Sequence, residues 1–598
     1  MHDNTVSFHR VVVIAVVVGI ISGFGAVLFY EGLKFGTRFF MGNLLGYVYP
    51  DEGQSMAEIA TWAPPDSIWL ILPIICLGAL ASGMLVYRFA PEAEGHGTDA
   101  AVRAFHGEGK VRWRIPLLKA VTSILTMTTG GSAGREGPTA QISAGFGSIA
   151  ADLLGLSARE RRIALATGIG AGIGTIFKAP LGGAILGAEI LYRRDFESEA
   201  LVPSFLASII GYAIFSSFEG FDPIFGLGDI SWSIPQIPLF LLLGVVCAGM
   251  GVLYVHTFYM TQKVFKSVFS RFSLPGYLKP FTGAFIIGAG VVLLAQISYE
   301  GLLVGLGSLG PGYGFLQLAM YNMLPLAVLM VLPFAKILTT SLTIGSGGSG
   351  GVFAPGLAIG GSTGGAVGMV LHLFAPEMVP MSSVPVFVIV GMIALFGSIA
   401  NAPISVLIMV VEMTANFSLF IPAMGAVAVA DVLTGTTTIF REQVMTKAQS
   451  GAHRGEYQVE VLEGIRADDA MVPADRVITL MPDESCAHVL SIINRHGHTG
   501  FPVLEGSRLT GIITIGDVRN GTESGKPALS VRDVMARELV TIDPDATLEK
   551  ALGLMMDNNI HHLPVVRITD PGTLAGFLTS SDILRAYTRV TAGEPDHQ

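Results

Sequence analysis

Long apolar runs separated by short polar stretches recur from near the N-terminus to about residue 440. The first, residues 11–30, has twenty positions without Asp, Glu, Lys or Arg. A helix of that length spans the hydrocarbon layer of a bilayer. No small-residue cleavage site follows it in a signal-peptide register, so a retained first helix is expected. Residues 237–260 and 281–298 predict further spanning helices. Other runs are cut short by glycine and proline, most of all around 130–190 and 343–415. Broken backbone at membrane depth is tolerated only where it is buried in protein or lines a cavity, so a pathway is expected in those two regions. From residue 469 the period changes. Helical stretches at 487–496 and 548–558 alternate with Pro-Val strands at 501–504 and 563–566, as in a soluble α/β unit.

The pattern is internally repeated. Gly174-Thr-Ile-Phe-Lys-Ala-Pro180 returns as Gly397-Ser-Ile-Ala-Asn-Ala-Pro403, and the same spacing carries Glu189 onto Glu412. Gly131-Ser-Ala-Gly-Arg-Glu-Gly-Pro138 returns as Gly348-Ser-Gly-Gly-Val-Phe-Ala-Pro355 at nearly that spacing. A membrane segment duplicated over 10–215 and 237–440, with breaks in matching places, predicts a transport site between the repeats near midplane. Glu189 and Glu412, at equivalent positions, are expected to be structural at helix ends. Residues 441–467 read as a polar linker. The tail is duplicated too: Asp469-Ala-Met-Val472 returns as Asp533-Val-Met-Ala536, and Gly511-Ile-Ile-Thr-Ile-Gly-Asp517 as Gly576-Phe-Leu-Thr-Ser-Ser-Asp582. This divides it into 468–523 and 531–590.

Composition agrees with a polytopic membrane protein carrying a soluble part. Hydrophobic residues make up 51%, charged residues 14%, and mean hydropathy is +0.60, too little charge for a soluble chain of this size. A net charge of −10 argues against a nucleic-acid partner. Cys76, Cys247 and Cys486 lie too far apart for a metal motif or a disulfide framework, and the first two sit in apolar runs as packing residues. Residues 51–66 and 217–236 carry acids and no Lys or Arg, whereas 103–119, 193–194 and 263–271 are basic. The positive-inside rule puts the basic loops, both termini and the tail in the cytoplasm, with the chain in a plasma or inner membrane.

The candidate chemistry centres on Gly134-Arg135-Glu136-Gly137-Pro138. A carboxylate inside membrane-depth sequence is costly and functional by default. Adjacent side chains on a helix do not face one another, so Arg135 is a poor structural explanation for Glu136. A dehydrated anion needs partial positive charge, and a helix N-terminus supplies about half an elementary charge through free N–H groups. Conduction also needs binding weak enough to release the ion. A carboxylate at such a site competes with the anion and yields when protonated. Glu136 is therefore expected to be the movable plug of an anion pathway. No nucleophile–base pair or metal motif points to an enzyme.

These motifs resemble the CLC family of chloride channels and proton-coupled chloride transporters, and the tail resembles a pair of CBS domains. The resemblance implies an all-α polytopic membrane domain over residues 1–440, with inverted repeats and broken helices, followed by tandem α/β CBS domains. It implies a gating role for Glu136, with Gly134, Arg135 and Gly137 at the anion site. Gly350-Gly351-Val352-Phe353-Ala354-Pro355 is similar to the second anion motif, in which the Val352 and Phe353 amides would face chloride. The first motif, usually Gly-Ser-Gly-Ile-Pro, corresponds to Gly95-His96-Gly97-Thr98-Asp99, so His96 replaces the serine. An imidazole changes charge near physiological pH, which makes His96 a candidate pH sensor. Phe440 stands where the family often has an ion-contacting tyrosine, and is expected to be gate packing. Ile190 stands where antiporters commonly carry a second, proton-accepting glutamate. That apolar residue favours a channel-like mechanism, with proton-coupled antiport by the same fold as the alternative. A CBS-regulated divalent-cation transporter is remote, since converging carboxylates are missing from the sequence. The resemblance further implies a homodimer in the lipid bilayer, chloride and in antiporters protons as cargo, and no required cofactor. It implies adenine nucleotide at Thr514, Asp517, Thr579 and Asp582, although these aspartates would equally cap the helices that follow them.

Overall fold

The computed structural model describes residues 8–228, 230–453, 461–523, 529–567 and 569–592. It divides into two compact units, Met1–Ala452 and His453–Gln598.

The first unit is helical. Among the described residues, nine helices are long and apolar enough to cross a membrane. The first apolar run forms Phe8–Thr37 and continues as a π-helical turn, Arg38–Leu44. The run predicted at 237–260 extends to Ile237–Arg271, so the basic residues 263–271 belong to the polar end of a helix rather than to a loop. Lysine and arginine are good helix formers and let a spanning helix run on past its apolar part. The helix Val384–Ile399 is buried on every side, as expected of a helix that is apolar all round. It packs on Phe353–Phe374 backbone to backbone: a Cβ at Gly364 would lie 1.9 Å from the Phe387 carbonyl oxygen.

Shorter helices carry the breaks, and the repeat explains their placement. Lys178 and Asn401, each two residues before a helix-starting proline, both adopt left-handed backbone with φ of 49° and 50°. They turn the chain into Pro180–Glu189 and Pro403–Thr414. These two helices cap each other. The Glu189 carboxylate accepts from the amides of Ile404 (3.3 Å) and Ser405 (2.8 Å) and from the Ser405 hydroxyl. The Glu412 carboxylate accepts from the amides of Leu181 (3.1 Å) and Gly182 (2.7 Å). Each carboxylate thus meets the N–H groups that a helix start leaves unpaired, and the charge sits at the favourable dipole end. Glu189→Ala is expected to destabilise the unit by about 1–3 kcal/mol, read as a lower unfolding temperature in detergent; an unchanged temperature would contradict the capping role.

Two buried lysines form another repeat pair. The spacing that carries Pro138 onto Pro355 carries Lys119 onto Lys336. Lys119 Nζ donates to the carbonyls of Ala93 (3.1 Å) and Gly95 (2.7 Å). Lys336 Nζ donates to those of Ser308, Leu309 and Gly310 at 3.2, 3.0 and 2.7 Å. Lys119 is therefore not a loop charge bearing on orientation; it is an internal tie with no exposed surface.

Residues 441–452 differ from the expected linker. They pack on the first unit: Tyr192 bridges to Val444 in parallel, and Arg193 N donates to the Val444 carbonyl at 2.9 Å. Residues 454–460 of the expected linker lie outside the described residues.

In the second unit, helices Cys486–His496 and Leu548–Asp557 start on Ser485 and Thr547, whose hydroxyls accept from His488 N and Lys550 N at 3.3 Å each. Strand Gly500–Glu505 pairs antiparallel with Arg508–Thr514, and His562–Arg567 with Asp570–Thr579. The two hairpins meet at Arg508 and Thr573. The duplicated pattern thus gives two copies of the same helix–strand–strand–helix unit around one sheet.

Candidate functional site

Glycine-rich backbone segments from both repeats meet inside the first unit. Gly134 and Gly351 form an antiparallel bridge through two N–H···O bonds of 2.7 Å. Gly95 and Ser349 form a parallel bridge alongside. Contact is so close that a Cβ at Gly137 would lie 2.1 Å from the His96 carbonyl oxygen and 2.9 Å from Gly351 Cα. The sequence motifs around residues 95, 134 and 351 are therefore one place in the fold.

Two helices start at this junction, Glu136–Leu153 and Phe353–Phe374. In each the third residue is a proline, Pro138 or Pro355, which has no N–H to leave unpaired. The donors concentrated at the second helix start are the amides of Phe353 and Ala354. The Glu136 side chain, 1% exposed, sits against that start. Its Oε2 accepts from Ala354 N at 3.3 Å, and its Oε1 accepts a short bond from the Tyr313 hydroxyl.

Tyr313 is absent from the sequence expectations. It opens helix Tyr313–Met320 and is 1% exposed. A signal for it exists: the spacing that joins Pro138 to Pro355 carries Gly95-His96-Gly97 onto Gly312-Tyr313-Gly314. Gly97 and Gly312 begin their helices with φ of 87° and 92°, a left-handed turn that glycine makes without steric cost.

The ion-pair partner of Arg135 is Glu52 rather than Glu136. Its guanidinium packs between the rings of Tyr30 and Tyr313, 4.9 and 5.3 Å from their centroids, and its Nη1 donates to Glu52 Oε1 at 2.8 Å. A cavity of about 470 Å³ opens beside these residues, lined also by Lys34 and Arg38. Burial would raise the Glu52 carboxyl, but the Arg135 guanidinium, aided by Asp51, outweighs it and holds Glu52 below its ordinary value of 4.5. The pair is therefore intact at and above the ordinary carboxylate range and is lost only as pH falls through that depressed value. Glu52→Gln is expected to leave Arg135 without its counter-charge. Anion entry from this cavity then speeds up several-fold at low ionic strength and becomes more salt-sensitive; a salt profile matching the wild type would contradict this.

An aromatic series runs from this junction to His96. Phe177, Phe353, Phe396, Phe440 and His96 follow one another with centroid separations of 4.9, 4.1, 6.3 and 5.5 Å. Phe440 is buried, and its amide donates to Thr438 Oγ1 at 3.0 Å. His96 Nε2 lies 3.2 Å from Asp99 Oδ2. The buried His96 Nδ1 has no hydrogen-bond partner among the described residues.

Ile190 is buried and offers only its carbonyl, which accepts from Gln443 Nε2 at 3.0 Å. Gln443 also donates to the Ala400 carbonyl (2.9 Å) and accepts from Asn401 (3.0 Å) and Thr438 (2.9 Å). Sequence reasoning missed this hub because it lies in the stretch read as linker. In the second unit, Asp517 Oδ2 accepts from Thr514 N (2.8 Å) and Oγ1 (2.7 Å), and Asp582 Oδ2 from Thr579 N (3.0 Å) and Oγ1 (2.6 Å). Both aspartates lie inside the first turn of their helices, Ile515–Glu523 and Ser580–Ala592, rather than ahead of them, and bond back to the threonine just before each helix.

Paired broken helices whose N-termini surround one buried carboxylate define a membrane transport protein built from two related halves. Residues 78–435 match the family described as voltage gated chloride channel, and residues 467–521 and 531–589 match the CBS domain. The chain belongs to this chloride channel (CLC) family and carries a C-terminal CBS pair. The H(+)/Cl(−) exchange transporter ClcA of Yersinia pseudotuberculosis serotype IB (strain PB1/+) is 30% identical over 438 residues, covering 71% of this chain and 85% of that protein. A solved structure of a slow cyanobacterial Cl−/H+ antiporter matches with TM-score 0.58 and 25% identity, over 72% of this chain and 96% of its own. A eukaryotic CLC transporter matches with TM-score 0.55 over 96% of this chain and 98% of its own, and at 16% identity bears on the fold alone. The Yersinia and cyanobacterial relatives are named as exchangers, so the preference for a channel drawn from Ile190 has no support among them.

Proposed function

We propose that the chain exchanges chloride for protons across a membrane, with Glu136 as the group that both cargoes displace. One observation carries this reading: the Glu136 carboxylate occupies the amide end of the Phe353–Phe374 helix, where an anion would otherwise sit. The resemblance to H(+)/Cl(−) exchangers supports it. The ionised carboxylate accepts from Ala354 and Tyr313 as an anion would. Protonation removes its charge and weakens its hold on the amide. Chloride then takes its place, with the Val352 and Phe353 amides at hand. When the proton leaves, the carboxylate returns and expels the ion. Proton and chloride occupancy are linked through one side chain, and linkage is reciprocal. Chloride binding to the purified protein is therefore expected to take up protons, measured by calorimetry in buffers of different ionisation enthalpy, and Glu136→Gln to remove the uptake. Chloride binding by the wild type without proton uptake would contradict the reading.

The loop charges support a cytoplasmic tail, and the family resemblance supports a homodimer. Adenine nucleotide is the proposed ligand of the CBS pair, at Thr514, Asp517, Thr579 and Asp582. ATP, ADP or AMP is expected to bind the full-length protein with affinity lost in Asp582→Ala. No heat with any of the three would leave these aspartates as helix caps only.

A further inference from the structure

Exchange needs a proton to pass between Glu136 and the cytoplasmic solution, and the apolar, buried Ile190 offers no group for that step. His96 meets the Glu136 segment through its backbone: its carbonyl is the atom a Cβ on Gly137, next to Glu136, would strike. It leads into helix Thr98–His106, on the side that the basic loops mark as cytoplasmic. The His96 side chain is 8% exposed.

Its two ring nitrogens have different surroundings. Asp99 Oδ2 lies 3.2 Å from Nε2. A carboxylate at that distance offsets the charge of an imidazolium, and a neutral imidazole always keeps one nitrogen free to accept a proton. Asp99 is in turn held as an acceptor by the amides of Arg441 and Glu442, both at 3.3 Å. Nδ1 is buried with no hydrogen-bond partner among the described residues. Buried polar atoms are rarely left so, and an unsatisfied one needs a reason. Of the charged groups around it, Lys119 is tied to the Gly95 carbonyl at 2.7 Å. The Arg441 guanidinium lies 3.4 Å from the ring centroid of Tyr259, whose hydroxyl donates to the Ile439 carbonyl at 2.6 Å. The rings of Phe258 and Phe440 flank the imidazole, at 6.3 and 5.5 Å between centroids. Asp99 is the one carboxylate in contact with it among the described residues.

Resting on the exchange reading, we propose that His96, steadied by Asp99, is the cytoplasmic proton acceptor of the exchange cycle, in the role that Ile190 cannot fill. Nδ1 takes a proton from a hydronium or buffer acid on the cytoplasmic side, and the imidazolium charge is offset by Asp99. The Nδ1–H bond then breaks as water relays the proton and an O–H bond forms on the Glu136 carboxylate. His96 returns to neutral and Glu136 leaves the Ala354 amide uncharged. No electrons are exchanged, and one proton moves per cycle of the pair. His96 is thus the transferring group and Asp99 a positioning residue.

The test is simultaneous chloride and proton flux in proteoliposomes holding the full chain. The readout is the proton-to-chloride ratio, which does not depend on how much protein is active. In His96→Ser the ratio is expected to fall about tenfold or more. In Asp99→Asn, which keeps the imidazole but removes its counter-charge, the proton-to-chloride ratio is expected to fall several-fold while chloride flux persists. A wild type that couples and a His96→Ser protein with the same ratio would overturn the proposal while leaving exchange intact. If His96→Ser gives no flux, Asp99→Asn decides, and an unchanged ratio overturns it. A wild type that moves chloride but no protons removes exchange and this proposal together.

Discussion

Glu136→Gln is expected to raise chloride flux at neutral pH about five- to thirty-fold, to flatten its pH dependence and to stop proton movement. Glutamine has nearly the shape of glutamate but cannot ionise. The bonds from Ala354 N and Tyr313 Oη to Glu136 are charge-assisted only while the side chain is a carboxylate. Losing that assistance weakens the plug by about 1–2 kcal/mol, which is the fold-change stated. Protons stop because the one side chain shared by both cargoes no longer carries them. Flux that keeps the wild-type pH profile in Glu136→Gln would take Glu136 out of the gate.

Gly137→Ala is expected to abolish transport. Its Cβ would lie 2.1 Å from the His96 carbonyl oxygen and 2.9 Å from Gly351 Cα, and both obstacles are backbone. Neither can move cheaply, because the Gly134–Gly351 bridge is fixed by two 2.7 Å hydrogen bonds. Overpacking of ordinary side chains costs about 1–3 kcal/mol; here the strain falls on the segments that shape the site. Gly290→Ala is the matched control, since a Cβ there meets nothing within 4 Å. It should retain wild-type flux and unfolding temperature. Wild-type flux in Gly137→Ala would mean that the junction is looser than its geometry.

Much of this was legible in the sequence, and the gaps have physical reasons. The first apolar run, the two glycine-rich regions and the duplicated tail all rest on local periodicity, which one chain displays directly. Glu136 stood out because a membrane-depth carboxylate is rare. Its partner Tyr313 did not, because a tyrosine in an apolar run reads as packing and lies 177 positions away. Only the repeat spacing links it to His96. Lys119 was misread as a loop cation because composition cannot tell an exposed lysine from one that satisfies carbonyls inside. Residues 441–452 were read as linker because they are polar. Their polarity instead serves the buried backbone of the first unit, through Gln443 and the amides that hold Asp99. Ile190 pointed to a channel because one position was weighed alone, while proton transfer depends on which titratable groups the fold brings to the path.

The central claim is that chloride and protons compete through Glu136 and therefore move together. The most direct test is paired chloride and proton flux on the purified protein in liposomes, with a chloride gradient as the sole driving force. The account predicts proton movement against its own gradient at a fixed ratio to chloride, absent in Glu136→Gln. Chloride moving down its gradient while pH stays constant in the wild type would contradict it.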